Sequence, residues 1–141
     1  GFSFPTSDGS AGQFITTNGL GVLSFATAGA TLSNSTIADA STTISSSATS
    51  VLNTFDKTVA RSAKYFISIS DATNSRFEIV EANVTHDGSD AYISTFGSTT
   101  DYTSPLTTFS ADVSGNNVRV LVTNISDDSL VFKFQRVAIN V

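Results

Sequence analysis

From about Val51 onward, apolar and polar residues alternate along runs rich in β-branched and aromatic side chains, and short polar clusters break the runs. Six strands are predicted, at 61–70, 76–86, 91–96, 107–113, 118–125 and 130–140, with a leading strand at 50–55. The clusters DATNS at 71, HDGSD at 86, SGNN at 114 and SDDS at 126 have hairpin length and turn chemistry. Only the link over 97–106 is longer. This is the spacing of an all-β fold, an antiparallel β-sandwich of jelly-roll-like kind over residues 51–141.

Alternation assigns the core. Tyr65, Ile67 and Ile69 share one face of their strand, as do Phe109, Ala111 and Val113, and Val118, Val120 and Val122. Two strands carry apolar residues in both phases. Phe77 and Ile79 oppose Val80, Ala82 and Val84, which predicts a bulge near 79–80. Leu130, Phe132 and Phe134 oppose Val137, Ile139 and Val141, which predicts either a second bulge or a second subunit on the far face. Phe66 and Leu121 are also out of phase, and apolar residues exposed on several strands of a small domain point to an oligomer interface.

Residues 1–50 read differently. Between 27 and 50 the sequence is low in complexity, TAGATLSNSTIADASTTISSSATS, with Leu32, Ile37 and Ile44 as its main apolar points. Ile37, Ile44 and Val51 are seven apart, but d-type partners are missing and serine and threonine are poor helix formers, so a coiled coil is disfavoured. The expectation is an extended linker, or short strands ordered by neighbouring chains. The preceding stretch, FPTSDGSAGQFITTNGLGVLSF at 4–25, is two turn modules in series, with Asp8-Gly9 and Asn18-Gly19 as positive-φ turn pairs. Phe14, Ile15, Leu20, Val22, Leu23 and Phe25 are too few for a core, yet they suffice for a stripe that another chain covers. Phe14, Leu20, Leu23 and Phe25 are therefore placed with Phe66 and Leu121 as candidate interface residues.

The 4–25 stretch resembles an element of tail-fibre and other virion structural proteins of bacteriophages, of the marine and cyanobacterial type. The resemblance is carried by Pro5, Thr6, Asp8, Gly9, Gly12 and Gln13, then Thr17, Gly19, Gly21, Leu23 and Phe25. The run RSAKYFISISD at 61–71, with the Thr85-His86-Asp87-Gly88 turn and Ala91-Tyr92-Ile93, is similar to a repeated β-domain of the same proteins. The resemblance implies a virion protein of a tail fibre or related appendage: a homo-oligomer with the trimer favoured, in contact with other virion proteins and with host surface polysaccharide. A capsid decoration or neck protein is the alternative within that class. A carbohydrate-binding module of a polysaccharide-degrading enzyme is the alternative outside it, though three tyrosines and no tryptophan offer little for an aromatic platform.

Composition narrows the chemistry. The net charge is −5 with seven lysines and arginines, which leaves no footprint for nucleic-acid phosphates. The 23 serines and 20 threonines among 141 residues make a surface of neutral hydroxyls, suited to packing between copies without burying ions. Cysteine is absent, so disulfides and thiolate metal sites are excluded. No apolar run approaches the ~20 residues that span a bilayer, so no membrane partner is expected. The first residue is glycine, as expected of a piece of something longer. The N-x-S/T triplets at Asn34, Asn83 and Asn124 are expected by chance in so hydroxyl-rich a chain.

No catalytic residue, cofactor or metal is assigned. His86, the sole histidine, sits beside Asp87 in a turn, where adjacent residues do not build a triad with its oxyanion hole. Asp87 with Asp90, and Asp127 with Asp128, lack the ligand spacing of a calcium loop. Glu78 and Glu81, the only glutamates, stand three apart on a strand and so on opposite faces, whereas glycoside hydrolysis needs two acids facing one cleft. The long loop offers Asp101 and Tyr102 among hydroxyls, a mixture that stacks on and hydrogen-bonds to sugars, and these two are the candidate receptor-binding residues.

Overall fold

The computed structural model describes residues 1–27 and 32–141. The described residues form ten strands: β1 (Gln13–Thr17), β2 (Leu23–Thr27), β3 (Ser35–Ile44), β4 (Thr49–Asp56), β5 (Ala60–Asp71), β6 (Arg76–His86), β7 (Ala91–Thr100), β8 (Thr107–Ser114), β9 (Asn117–Asn124) and β10 (Leu130–Asn140). They fall into two compact units, Gly1–Ser33 and Asn34–Val141. The boundary therefore lies before β3, in place of the expected division at residue 50. Positions 28–31 of the low-complexity stretch lie outside the described residues.

The first unit is the β1–β2 hairpin with the chain from Gly1 laid beside it, where Ser3 bridges Val22. Its turn residues have specific work. The Asn18 side chain accepts the backbone N–H groups of Leu20 and Val22, which closes the hairpin loop. Gln13 folds back so that its Oε1 accepts the N–H of Ser10 at 2.8 Å. Gly9 departs from expectation: its backbone is outside the positive-φ region, and the position needs glycine because an added Cβ would lie 2.7 Å from the Phe25 ring. Gly9, Gln13 and Phe25, three of the residues that carry the resemblance, thus help this short hairpin hold its shape without a core.

The second unit is all-β, with a five-stranded sheet ordered β3-β10-β5-β6-β7 and a three-stranded sheet ordered β4-β9-β8, antiparallel throughout. Their inner faces share one hydrophobic cluster: Tyr65, Ile67, Ile69, Val80, Ala82, Val84, Phe132 and Phe134 from the larger sheet meet Leu52, Phe55, Val118, Val120 and Val122 from the smaller. The inward set expected on β5 and β9 is buried, whereas Phe109, Ala111 and Val113 of β8 are only partly buried at the margin. β5, β6 and β7 run as a meander in one sheet, so after β5 the chain does not cross to the other sheet until the link between β7 and β8.

β3 overturns the linker expectation. It pairs with β10 of its own chain over ten register positions, so its order comes from within the fold and not from a neighbouring chain. As an edge strand it needs few apolar residues, and only Ile44 is fully buried.

The two phase conflicts resolve without bulges on the strands themselves. β6 pairs with β5 in unbroken register, turning Val80, Ala82 and Val84 inward and leaving Phe77 exposed. The register shift opposite Ile79–Glu81 inserts the extra residue into β7, where Gly97 adopts a φ of 59°. β10 likewise keeps one phase through Phe134, Arg136 and Ala138, so Val137 and Ile139 face outward. Arg136 is accommodated inside because it donates to Asn53 Oδ1 at 2.8 Å and to the Thr54 carbonyl at 2.7 Å. A register shift after Val51 on β4 places Asn53 there, and Tyr65 donates to the same oxygen. Burial pushes the Tyr65 phenol up to about 12, so it is a donor throughout the physiological range.

Candidate functional site

Three loops meet at one end of the sandwich: the β5–β6 turn, the β7–β8 link and the β9–β10 turn. Between them lies a polar crevice of about 440 Å3 lined by Asn74, Ser75, Arg76, Asp101, Tyr102, Asp127 and Asp128. Of the candidate receptor residues, both line it, but they differ in availability. Asp101 is committed to the scaffold: its Oδ1 accepts the N–H of Phe77 at 2.7 Å, and its own N–H donates to the Phe77 carbonyl. Tyr102 is half-exposed, with its ring 4.9 Å from the Arg76 guanidinium.

Arg76 is the pivot of the crevice. It pairs with Asp71, whose carboxylate is buried, and lies 3.5 Å from Asp128. Asp71 also accepts the N–H groups of Thr73 and Asn74, while the Asn74 amide reaches both Asp71 and Asp128. Burial alone would raise the Asp71 carboxyl, but hydrogen bonds from Arg76 and Asn74 together with the guanidinium charge hold it below the ordinary aspartate range. A carboxyl whose folded pKa is depressed contributes stability that is complete above its unfolded value and lost as pH falls through the folded one. The unit should therefore hold its melting temperature above about pH 4 and lose it below. Asp71→Asn should melt lower at neutral pH and lose part of that acid dependence; an unchanged slope in pH-resolved melts would remove Asp71 as its source.

Glu78, which does not line the crevice, is buried on the inward face of β6, where Oε2 accepts the Leu106 N–H at 2.7 Å and Oε1 accepts the Ser98 hydroxyl. Glu81 lies on the opposite face, paired with Lys64 at 2.6 Å. His86 is packed away rather than exposed in its turn: its ring nitrogen Nε2 lies 3.0 Å from the Ala60 carbonyl, and the ring leans on Phe55. Asp87 closes the β6–β7 turn by accepting from Asp90, Ser89 and Tyr92, and those bonds hold its carboxyl down at about 2.

The candidate interface residues do not form one surface in the second unit. Phe66 is half-exposed on the outer face of the five-stranded sheet, and Leu121 is partly buried on the outer face of the three-stranded sheet. In the first unit Phe14 and Leu20 are exposed, while Leu23 and Phe25 are partly covered.

Sequence reasoning missed Asn74, Arg76, Asp127 and Asp128 as neighbours of Tyr102. Their turns were legible as turns, and the signal that they carry more is the density of charge and amide in D71-A-T-N-S-R76 and S126-D-D-S129, beyond what turning the chain requires.

No protein-family model matches the sequence, and no curated protein matches it. Among solved structures the chain is similar to a tailspike protein, gp49, from Acinetobacter baumannii bacteriophage Fri1, a capsular polysaccharide depolymerase. The TM-score is 0.37 and the identity 17%, over 75% of this chain and 18% of that one. It is also similar to the tailspike protein of Acinetobacter phage vB_ApiP_P1, with a TM-score of 0.38 and 16% identity over 79% of this chain and 24% of that one. The chain thus spans less than a quarter of either protein, and at this level of likeness their activity and assembly do not transfer to it.

Proposed function

We propose that this chain is a structural part of a bacteriophage virion appendage, of tail-fibre type, which assembles as a homo-oligomer with the trimer favoured and presents the loop end of its sandwich to host surface polysaccharide. The observation that carries the reading is the first unit. Among its phage-type residues Gly9 lies beneath Phe25 and Gln13 closes a turn, and beside them Asn18 closes the hairpin loop, while Phe2, Phe4, Phe14, Ile15 and Leu20 remain exposed. A two-stranded hairpin is marginal alone and needs further chain to cover it.

The reading is one of assembly and binding, and what supports it over glycoside hydrolysis is that Glu78 and Glu81 occupy opposite faces of β6 and each is already engaged. At the crevice, Asp71, Asp101, Asp127 and Asp128 outnumber the single Arg76, so the local field favours neutral or amino-bearing sugars over acidic ones. Tyr102 supplies the stacking ring and Asp127 an exposed acceptor.

The test is adsorption. Tyr102→Ala with Asp127→Ala should lower binding to host cells or purified envelope polysaccharide at least tenfold, with the melting temperature and oligomer mass unchanged. Asp101 is left intact because it anchors the ladder to β6. Full adsorption by the double variant would remove the crevice from the reading, and a wild-type chain that binds no host material would place the protein in neck, baseplate or capsid.

A further inference from the structure

The outer face of the five-stranded sheet exposes a set of large apolar side chains. Register places Ile37 opposite Val137 and aligns Val137 with Lys64, Asn83 and Ser94 in one row across all five strands. The next rows hold Ile139, Ser62, Thr85 and Tyr92 on one side, and Gln135, Phe66, Glu81 and Phe96 on the other. Ile37, Phe66, Tyr92 and Ile139 are each at least half-exposed, and a groove of about 690 Å3 runs along Val137 and Ile139.

We propose that this face is where a second copy of the chain docks, so that the larger sheets of two protomers pack together about a twofold axis; this rests on the homo-oligomer of the proposed function and sets a pair in place of its favoured trimer. Three observations select that occupant. The first is size. Five strands at ~4.8 Å spacing and ten residues at ~3.3 Å rise make a face of roughly 800 Å2, the area that each partner of a stable complex contributes. The second is charge. The chain carries −5 overall, so two copies meet most easily where acids are already neutralised. On this face Glu81 is paired with Lys64, whose ammonium also lies 5.4 Å from the centre of the Phe96 ring, and Asp39 opposite Gln135 and Lys133 opposite Ser41 add one further charge of each sign, so the face is balanced. The third is chemistry. Between the apolar side chains stand serines, threonines and an asparagine, neutral groups that can hydrogen-bond across to a second copy, while the few charges on the face are balanced in sign. A glycan would want polar groups converging on the groove, whereas Val137 and Ile139 line it with aliphatic surface beside the Tyr92 ring.

The experiment is the mass of the full chain by light scattering over a range of concentrations, with far-ultraviolet circular dichroism and melting as folding controls. Val137→Glu sets a second carboxylate beside Lys64, which Glu81 already engages, so the exposed strand of the folded protomer tolerates it while one net negative charge enters the interface. It should weaken association at least a hundredfold with the strand signal and melting temperature retained. Phe66→Ser, a gentler truncation on the same face, should weaken it about tenfold. A wild-type chain that stays monomeric overturns the assembly reading and this surface with it. A wild-type oligomer that both variants leave intact overturns this surface alone and returns the interface to the first unit. Retained oligomer mass with polysaccharide binding lost in Val137→Glu overturns it in favour of a glycan on the sheet.

Discussion

Asn124→Ala should cost about 3–5 kcal/mol of stability, because it leaves several backbone groups unpaired in a place water enters poorly. Asn124 is fully buried at the end of β9, and its amide donates to the carbonyls of Ile44, Ser45 and Asp128. Its Oδ1 accepts the N–H and the hydroxyl of Ser126, each at 2.8 Å. One side chain therefore joins the β3–β4 turn to the β9–β10 turn, and the latter carries Asp127 and Asp128 into the crevice. Asn124→Asp is the sharper probe. It keeps the acceptor but turns a second oxygen toward three carbonyls, so it should destabilise at least as much as alanine, whereas an ordinary surface turn would tolerate it. Thermal and denaturant melts decide between these, and a neutral Asn124→Asp would show that the two turns are held together by other contacts.

That residue also marks the limit of what the sequence discloses. Asn124 reads as one of three chance N-x-S/T triplets, and nothing local distinguishes it from the exposed Asn83. The strands from β4 onward are legible because half-buried strands write their burial as alternation, and their predicted bounds fall within a few residues of those observed. The pattern misleads where a polar residue points inward. Glu78 on β6 and Arg136 on β10 hold core-side positions on hydrogen bonds, and equating inward with apolar turns two regular strands into bulged ones. β3 is illegible for the opposite reason: an edge strand of Ser, Thr and Ala buries almost nothing, and only the pairing with β10, far along the chain, makes it a strand.

The crevice follows the same logic. Its loop is legible as the longest link in the β domain, and Tyr102 stands out within it. Arg76 and Asp127–Asp128 reach Tyr102 because β6 and β7 are neighbours and because the β9–β10 turn lies at the same end of the sandwich, facts of topology that no local motif records. Asp101 shows the converse. A loop carboxylate that looks free in sequence is fixed by the Phe77 N–H, which ties the start of the loop to β6.

Ile67→Ala should destabilise the second unit by about 3 kcal/mol, within the range for truncating a buried aliphatic residue in a core that collapses poorly around the gap. Ile67 is fully buried at the middle of the central strand β5, paired with Val80 on one side and Phe134 on the other. Both neighbours are held by regular ladders, so the space left behind is not easily filled. Val120, equally buried on the facing sheet between Asn53 and Ala111, should show a smaller loss of about 2 kcal/mol on truncation because fewer carbons are removed. In a unit of this size each kcal/mol lowers the melting temperature by roughly 4–8 °C, so both effects are large in a thermal melt. Ser68→Ala, one residue along and exposed on the outer face, should fall within ~0.5 kcal/mol of wild type. If Ser68→Ala costs more than Ile67→Ala, the two faces of β5 are exchanged, and the outward rows through Val137 and Phe66 would be core and not docking surface.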